Sequence, residues 1–379
     1  MNNNYFITGV TGTIGSALIP LLLETKESRI FALMRAESEE RLAQRLEKLI
    51  GYWGLDGEQA DDARRRVIPV MGDMSEPRFG ISEKEYDRIA GYCTHIIHCA
   101  GVVRMNLPLE EARQHAVGSA ENIVELALQC KVAGNLKKVE FVSTVGVGGR
   151  MTGIIPERWI TEHRQFHNTY EASKAEAEDY LREQIELHQL PVTVHRPSMV
   201  VGDSETGKVM HFQIFYHLCE FLSGRRTGGI FPTMGSTRLD TVPSDYVARA
   251  ICWSANTEMA IGKIFHLCSG PSGAIALQEL RGTVREIFRE GGVRLPPVVS
   301  LPVPLFSLLI KSIKPFLNQS LKRAVGTLPV FLDYLNSSQL FENKETLSFM
   351  ETYQGPELPL SRDYLHCVLM HYLKQQHGR

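Results

Sequence analysis

The stretch 8-TGVTGTIG-15 sets Gly9, Gly12 and Gly15 three residues apart, after an apolar run and ahead of a segment of helical composition. Glycine tolerates a left-handed backbone and lets the main chain approach a ligand without a Cβ in the way. Between a strand and a helix, such a turn offers the amides of a helix N-terminus to an anion, and the pyrophosphate of a dinucleotide is the natural ligand. Thr8, Thr11, Thr13 and Ile14 belong to the same turn and are expected to line it with the three glycines. Alone, the triplet is compatible with a tight strand-to-helix turn that binds nothing, so its surroundings decide.

Those surroundings alternate. Short β-branched or apolar runs at Tyr5–Thr8, Ile30–Met34, Val67–Met71, His95–His98 and Val139–Ser143 read as strands, with helical patterns at Gly15–Glu24, Ser38–Gly51 and Leu109–Lys131 between them. A sixth strand is expected at Pro191–His195 and a seventh near Lys263–Leu267. Strands that alternate with helices need crossover connections, hence a parallel sheet covered on both faces. The expected class is therefore α/β: a Rossmann-type doubly wound parallel sheet with a smaller, mostly helical C-terminal substrate-binding region. Residues 1–201 and 240–270 are assigned to the dinucleotide domain, and 202–239 and 271–379 to the substrate side or lid.

Bulk properties exclude several classes. The chain has 379 residues, 43% hydrophobic and 22% charged, with a formal net charge of −2, so no global field draws it to nucleic acid. Seven cysteines, none in a Cys-x-x-Cys pair, read as reduced core residues of a cytosolic protein, and a cytoplasmic location is expected. The N-terminus shows no signal-peptide pattern. The 13 histidines form no cluster with ligand spacing, His163 and His167 reading as solvated loop residues, so no metal is expected. The apolar segment from Leu295 to Leu317 is broken by prolines and lysines and falls short of a membrane span; it reads as packing or a lid, with peripheral membrane contact as the alternative.

Further strand ends point to one crevice at the carboxyl edge of the sheet. The second ends in 31-FALMRA-36, where Arg35 occupies a position at which an NAD site often has an acid. A guanidinium there, with Arg41 or Arg45 assisting, favours the extra phosphate of NADP(H) over NAD(H); the other reading leaves these arginines solvating a helix with Glu37 in the acidic role. In 72-GDM-74, Asp73 is a candidate acceptor for the adenine amine, beside Met74, or else a helix cap. In 98-HCAG-101, Cys99, Ala100 and Gly101 offer small residues against which adenosine and ribose can lie.

The fifth strand ends in 139-VEFVSTVGVGG-149, so Ser143 and Thr144 emerge at that edge, and 168-NTYEASKAEAE-178 places Tyr170 and Lys174 four apart on one helical face. An ammonium beside a phenol stabilises its ionised form and lowers a pKa that starts near ~10. A strand-end hydroxyl next to it completes a small oxyanion site.

In this order TGxxGxxG, the strand-end Ser-Thr and Tyr-x-x-x-Lys resemble the extended short-chain dehydrogenase/reductase superfamily. The runs 33-LMRAESEERLAQRL-46, 196-RPSMVVGDSETG-207 and 241-TVPSDYVARAI-251 resemble more narrowly its thioester reductase and fatty acyl-CoA reductase branch. The resemblance covers about residues 4–270. It implies NADPH-dependent reduction of an acyl thioester, on coenzyme A or a carrier protein, to an aldehyde and sometimes onward to an alcohol. By position it gives Thr144, Tyr170 and Lys174 the catalytic roles, and places Pro197 and Ser198 beside the nicotinamide carboxamide, with Val142 and Val200 in the same cofactor set. It makes a homodimer plausible. One departure stands out: His115, in 115-HAVGS-119, occupies the place of the asparagine common in extended members, either as a proton-relay group or as a tolerated helical residue. Rival readings keep the cofactor but act on a free carbonyl or alcohol, as hydroxysteroid dehydrogenases do, or on a nucleotide sugar; a non-catalytic dinucleotide sensor would need no proton donor.

Overall fold

The computed structural model describes residues 3–225, 227–313 and 339–377. Seven strands, β1 (Asn4–Thr8), β2 (Arg29–Met34), β3 (Val67–Met71), β4 (His95–His98), β5 (Lys138–Val142), β6 (Val192–Pro197) and β7 (Ile264–Leu267), form one sheet in the order β7-β6-β5-β4-β1-β2-β3. Every pairing within it is parallel, Tyr5 lying opposite Ile30 of β2 and His95 of β4. Chain order reverses between β1 and β4, which opens a crevice at the carboxyl edge where doubly wound sheets bind ligands.

Successive strand residues face opposite sides, so both faces acquire cores. Tyr5, Ile7, Ile30, Ala32 and Met34 pack under α1 (Thr13–Leu23), α2 (Glu39–Trp53), α3 (Gly57–Arg66) and, from later in the chain, Ser244–Ala255. Phe6, Phe31 and Leu33 point the other way, under α4 (Glu83–Tyr92), α5 (Leu109–Val132) and α6 (Thr169–His188). Each fully buried Phe or Ile contributes roughly 1.5–3 kcal/mol relative to exposure. Local signals start the helices: Ser38 accepts from the Arg41 amide (3.3 Å) to cap α2, and Asn168 accepts from the Glu171 amide (3.0 Å) to cap α6.

The excursion after Gly202 carries α7 (Ile214–Ser223) and returns through α8 (Ser244–Ala255). Beyond them lie α9 (Leu277–Glu290), α10 (Val303–Ile313), α11 (Lys344–Thr352) and α12 (Ser361–His377). A third core joins α7, α9 and α12 through Phe215, Leu222, Leu280, Phe288, Leu365 and Leu369. The tail from Pro271 divides between the two sides. While α9 and α12 build this third core, Leu340–Phe341 pairs with Ile154–Ile155, and Met350 of α11 joins the core of the seven-stranded sheet. Glu157 caps α11, accepting from the amides of Glu345 (2.7 Å) and Thr346 (2.9 Å). Of the apolar segment expected as packing or lid, Val299–Leu301 pairs with Ile230–Pro232 and α10 buries Phe306 while exposing Leu305 and Leu308; its last residues, from Lys314, lie outside the described residues. Among the described residues no helix is long and apolar enough to cross a membrane, and the seven cysteines are free thiols.

Helix α6, which carries the candidate catalytic pair, is pinned to β6 by a buried ion pair. Arg196, fully buried, donates to both carboxylate oxygens of Glu178 at 2.9 and 2.5 Å and to the carbonyl of Arg158 at 2.9 Å. Arg196→Met therefore strands the Glu178 carboxylate and is expected to cost about 3–5 kcal/mol. Thermal denaturation checks this, and Arg196→Met/Glu178→Leu should recover most of the loss.

Candidate active site

At the head of the crevice the glycine turn has the geometry of a cradle. Gly9 has φ +75°, and a Cβ there would lie 2.6 Å from the backbone nitrogen of Ala100; one on Gly15 would lie 2.3 Å from the Gly9 carbonyl oxygen. Gly12 donates to the Gly9 carbonyl (2.9 Å) and caps α1 with no side-chain hydrogen bond. The first helical bond runs from the Ser16 amide to the Gly12 carbonyl, so the N–H groups of Thr13, Ile14 and Gly15 precede it and face the crevice end of the helix. Thr8 is wholly buried and engages its hydroxyl with His98 Nδ1 (2.8 Å) and the Ala100 amide (3.3 Å), shaping the junction of β1 and β4 rather than lining the cradle.

Beyond β2, an open cavity of about 660 Å³ is lined by Arg35, Ala36, Glu37, Arg41, Gln44, Arg45 and Lys48. Four cations face one acid. Arg45 donates to the Thr11 hydroxyl (3.3 Å), and its Nε is buried with no hydrogen-bond partner among the described residues. Sequence reasoning missed Lys48, though its spacing from Arg41 and Arg45 on α2 puts all three on one face. Arg35, 72% exposed, reaches Asp73 at 3.8 Å. Burial pulls the Asp73 carboxyl upward, but hydrogen bonds from the Ser75 amide and hydroxyl and the Arg35 charge outweigh it and hold it below its usual range. Asp73 thus closes a turn with Ser75, and the carbonyl of Met74 accepts from Asn122 (2.9 Å).

The candidate catalytic side chains meet at the ends of β4 and β5. Lys174 is buried; its ammonium donates to the Val142 carbonyl (3.3 Å), lies 5.8 Å from the Phe141 ring centre and packs against Gly101. Thr144 accepts from the Gly146 amide (3.1 Å) and stands beside the Tyr170 phenol. Ser143, its neighbour, has a buried hydroxyl with no partner among the described residues. Burial pushes the Tyr170 phenol up to about 12, opposed by the nearby Thr144 hydroxyl and assisted by the Glu171 charge. The lowering expected from the four-residue spacing to Lys174 is not what the structure shows: burial raises the phenol and brings the lysine down to about 8. Burial likewise pushes the adjacent Cys99 thiol up to about 12.

His115 lies in the same place. With Tyr170, Lys174, Ser173 and the loop residues Gly101, Val102, Arg104 and Leu107 it lines a pocket of about 10 Å³, and its Nδ1 is buried without a partner among the described residues. The loop is fastened over the pocket by the Thr169 hydroxyl, which donates to the Leu107 carbonyl (2.9 Å). Pro197 ends β6, the Ser198 amide donates to the Leu267 carbonyl (3.0 Å), and Val200 pairs with Val242. Asp240, which no sequence motif singled out, accepts from the amides of Ser269 (2.8 Å) and Gly270 (2.9 Å) beside Ser198, and burial pushes it up to about 6. Among the described residues no His, Cys, Asp and Glu group has metal-site geometry.

The model of the male sterility protein family matches residues 7–251. A linear gramicidin synthase polypeptide of Brevibacillus parabrevis is 30% identical over 267 residues, 69% of this chain and 5% of that protein. A putative fatty acyl-CoA reductase of Drosophila melanogaster, CG8303, is 28% identical over 322 residues, 73% of this chain and 57% of that protein. This chain therefore spans less than two thirds of either relative. Among solved structures, the terminal R domain of the myxalamid PKS-NRPS biosynthetic pathway superposes with a TM-score of 0.79 at 26% identity, covering 99% of this chain and 91% of that one.

The depressed lysine yields a stability test. Lys174 has a folded pKa of about 8 against an ordinary value of 10.5, so between those values the unfolded chain binds more protons and stability rises with pH. At pH 7 the buried ammonium costs the fold, and Lys174→Met should stabilise the ligand-free protein by on the order of 2–3 kcal/mol there, the gain shrinking towards pH 10. Denaturant melts of both proteins at pH 7 and 10 measure it.

Proposed function

The chain belongs to the male sterility protein family, and from that premise we propose that it is an NADPH-dependent reductase that converts acyl thioesters to aldehydes. The observation that carries the reading is the convergence of Thr144, Tyr170 and Lys174 on the crevice that the glycine turn heads, Gly9 abutting Ala100 and Lys174 abutting Gly101. The residues at the head of this crevice suit a dinucleotide. The glycines let the turn close tightly on its own backbone at the start of α1, the first amides of α1 are open to a pyrophosphate, and the orphaned Arg45 Nε sits in a cationic cavity suited to an additional phosphate on the adenosine ribose. We assign Arg35, Arg41, Arg45 and Lys48 to that phosphate and hence favour NADPH over NADH.

When bound, the reduced nicotinamide supplies hydride to the thioester carbonyl carbon. The residues of the chain manage the oxygen. The hydroxyls of Thr144 and Tyr170 donate to it as it gains charge, and the Tyr170 proton passes to it. A phenol raised in this way is a weak acid until a charge develops beside it, and the ammonium of Lys174, which lines the same pocket, then stabilises the phenolate. As the carbonyl re-forms, the hydroxyl returns its proton to the Tyr170 phenolate, the C–S bond breaks, and the departing thiolate takes up one proton from solvent. A reductase domain of a peptide- and polyketide-assembly pathway and a fatty acyl-CoA reductase are among the relatives, so both carrier-protein and coenzyme A thioesters are candidate substrates, the carrier-borne form first.

The deciding measurement is NADPH oxidation against a panel of acyl carrier protein and acyl-CoA thioesters, with products assayed as aldehyde and alcohol. Turnover of free aldehydes or sterols with no thioester turnover would select the free-carbonyl reading instead. In the active protein Tyr170→Phe should keep NADPH affinity within about twofold while kcat falls at least ~100-fold. Arg45→Ala should raise KM for NADPH on the order of 10-fold and leave KM for NADH nearly unchanged, since only the former carries the phosphate.

A further inference from the structure

Gln213 immediately precedes α7, in the excursion that builds the substrate side, yet its side chain does not cap that helix. Instead its Nε2 donates to the Thr13 hydroxyl at 2.8 Å, across 200 positions of sequence. Thr13 is the first residue of α1, so the amide of Gln213 stands at the mouth of the helix N-terminus whose own cap, Gly12, brings no side chain. The stretch before Gln213 is seated on the dinucleotide domain as well. Met210 packs against the core beneath α1, and the charge of Asp203 reaches the Tyr52 phenol of α2.

We propose that Gln213 is the substrate side's contribution to dinucleotide binding: a neutral side-chain donor that positions the cofactor pyrophosphate at the α1 N-terminus and links cofactor affinity to the placement of α7. This rests on the cofactor reading above. A primary amide suits the position. It adds an N–H to the open amides of Thr13, Ile14 and Gly15 and brings no negative charge towards a phosphate. Linkage is reciprocal, so a cofactor that gains from this contact also holds the excursion against α1.

The test measures equilibrium binding of NADPH to the full-length protein by fluorescence, without thioester, for wild type, Gln213→Ala and Gln213→Glu. Loss of one hydrogen bond should weaken NADPH about 5-fold in Gln213→Ala, and a carboxylate facing the pyrophosphate should weaken it at least ~20-fold in Gln213→Glu. Adenosine 2′-monophosphate, which lacks the pyrophosphate, should bind all three proteins alike. Equal weakening by both variants, or no weakening by either, overturns the inference, because a mere brace between the two sides does not sense the charge. Parallel weakening of adenosine 2′-monophosphate overturns it too. If wild type itself does not bind NADPH, the cofactor reading falls, and that outcome is distinct from these.

Discussion

The site depends on one close approach: the α-carbon of Gly9 against the backbone of Cys99 and Ala100, where the leading ends of β1 and β4 part. No side chain fits there, and the left-handed φ of Gly9 is one that L-residues rarely adopt. Everything at the crevice is built outward from this contact. On one side the turn closes through Gly12 and Gly15 into α1; on the other, the chain passes from Ala100 to Gly101, beside which Lys174 lies buried against the Val142 carbonyl. The glycine turn and the candidate proton donor are thus two ends of one packed backbone junction.

Burial sets the chemistry of that junction. Four-residue spacing on a helix says that a lysine and a tyrosine share a face, but not how much water surrounds them. Here desolvation sets both groups: it raises the phenol and depresses the ammonium, so the pair rests as neutral phenol beside cation below about pH 8. Such a phenol holds its proton until charge appears on a neighbouring oxygen.

The sheet was readable because its strands are short apolar or β-branched runs set between helical patterns, and because several end at a turn signal such as Gly9, Gly72 or Ser143-Thr144. Edges moved by a residue or two: β5 spans Lys138–Val142 and β6 runs on to Pro197. The substrate side was less legible. The apolar positions of α7, α9 and α12 pack on one another rather than on the sheet, and nothing local announces that partnership. Lys48 was recoverable from helical spacing; Gln213 and Asp240 were not, since their positions follow from tertiary contacts hundreds of residues or a whole loop away. The turn closed by Asp73 and Ser75, and the buried hydroxyl of Thr8, show residues of a motif engaged in holding its shape.

The route of the chain also constrains motion. It leaves the dinucleotide side at Gly202, returns for α8 and β7, leaves again for α9, comes back to lay Leu340–Phe341 beside Ile154–Ile155 with α11 capped by Glu157, and departs once more into α12. Lobes laced together by so many passages do not swing apart on a single hinge as beads on a string would. Any relative motion of the two sides has to be a small shear along the shared seam, and a break at one crossing would be felt at all the others.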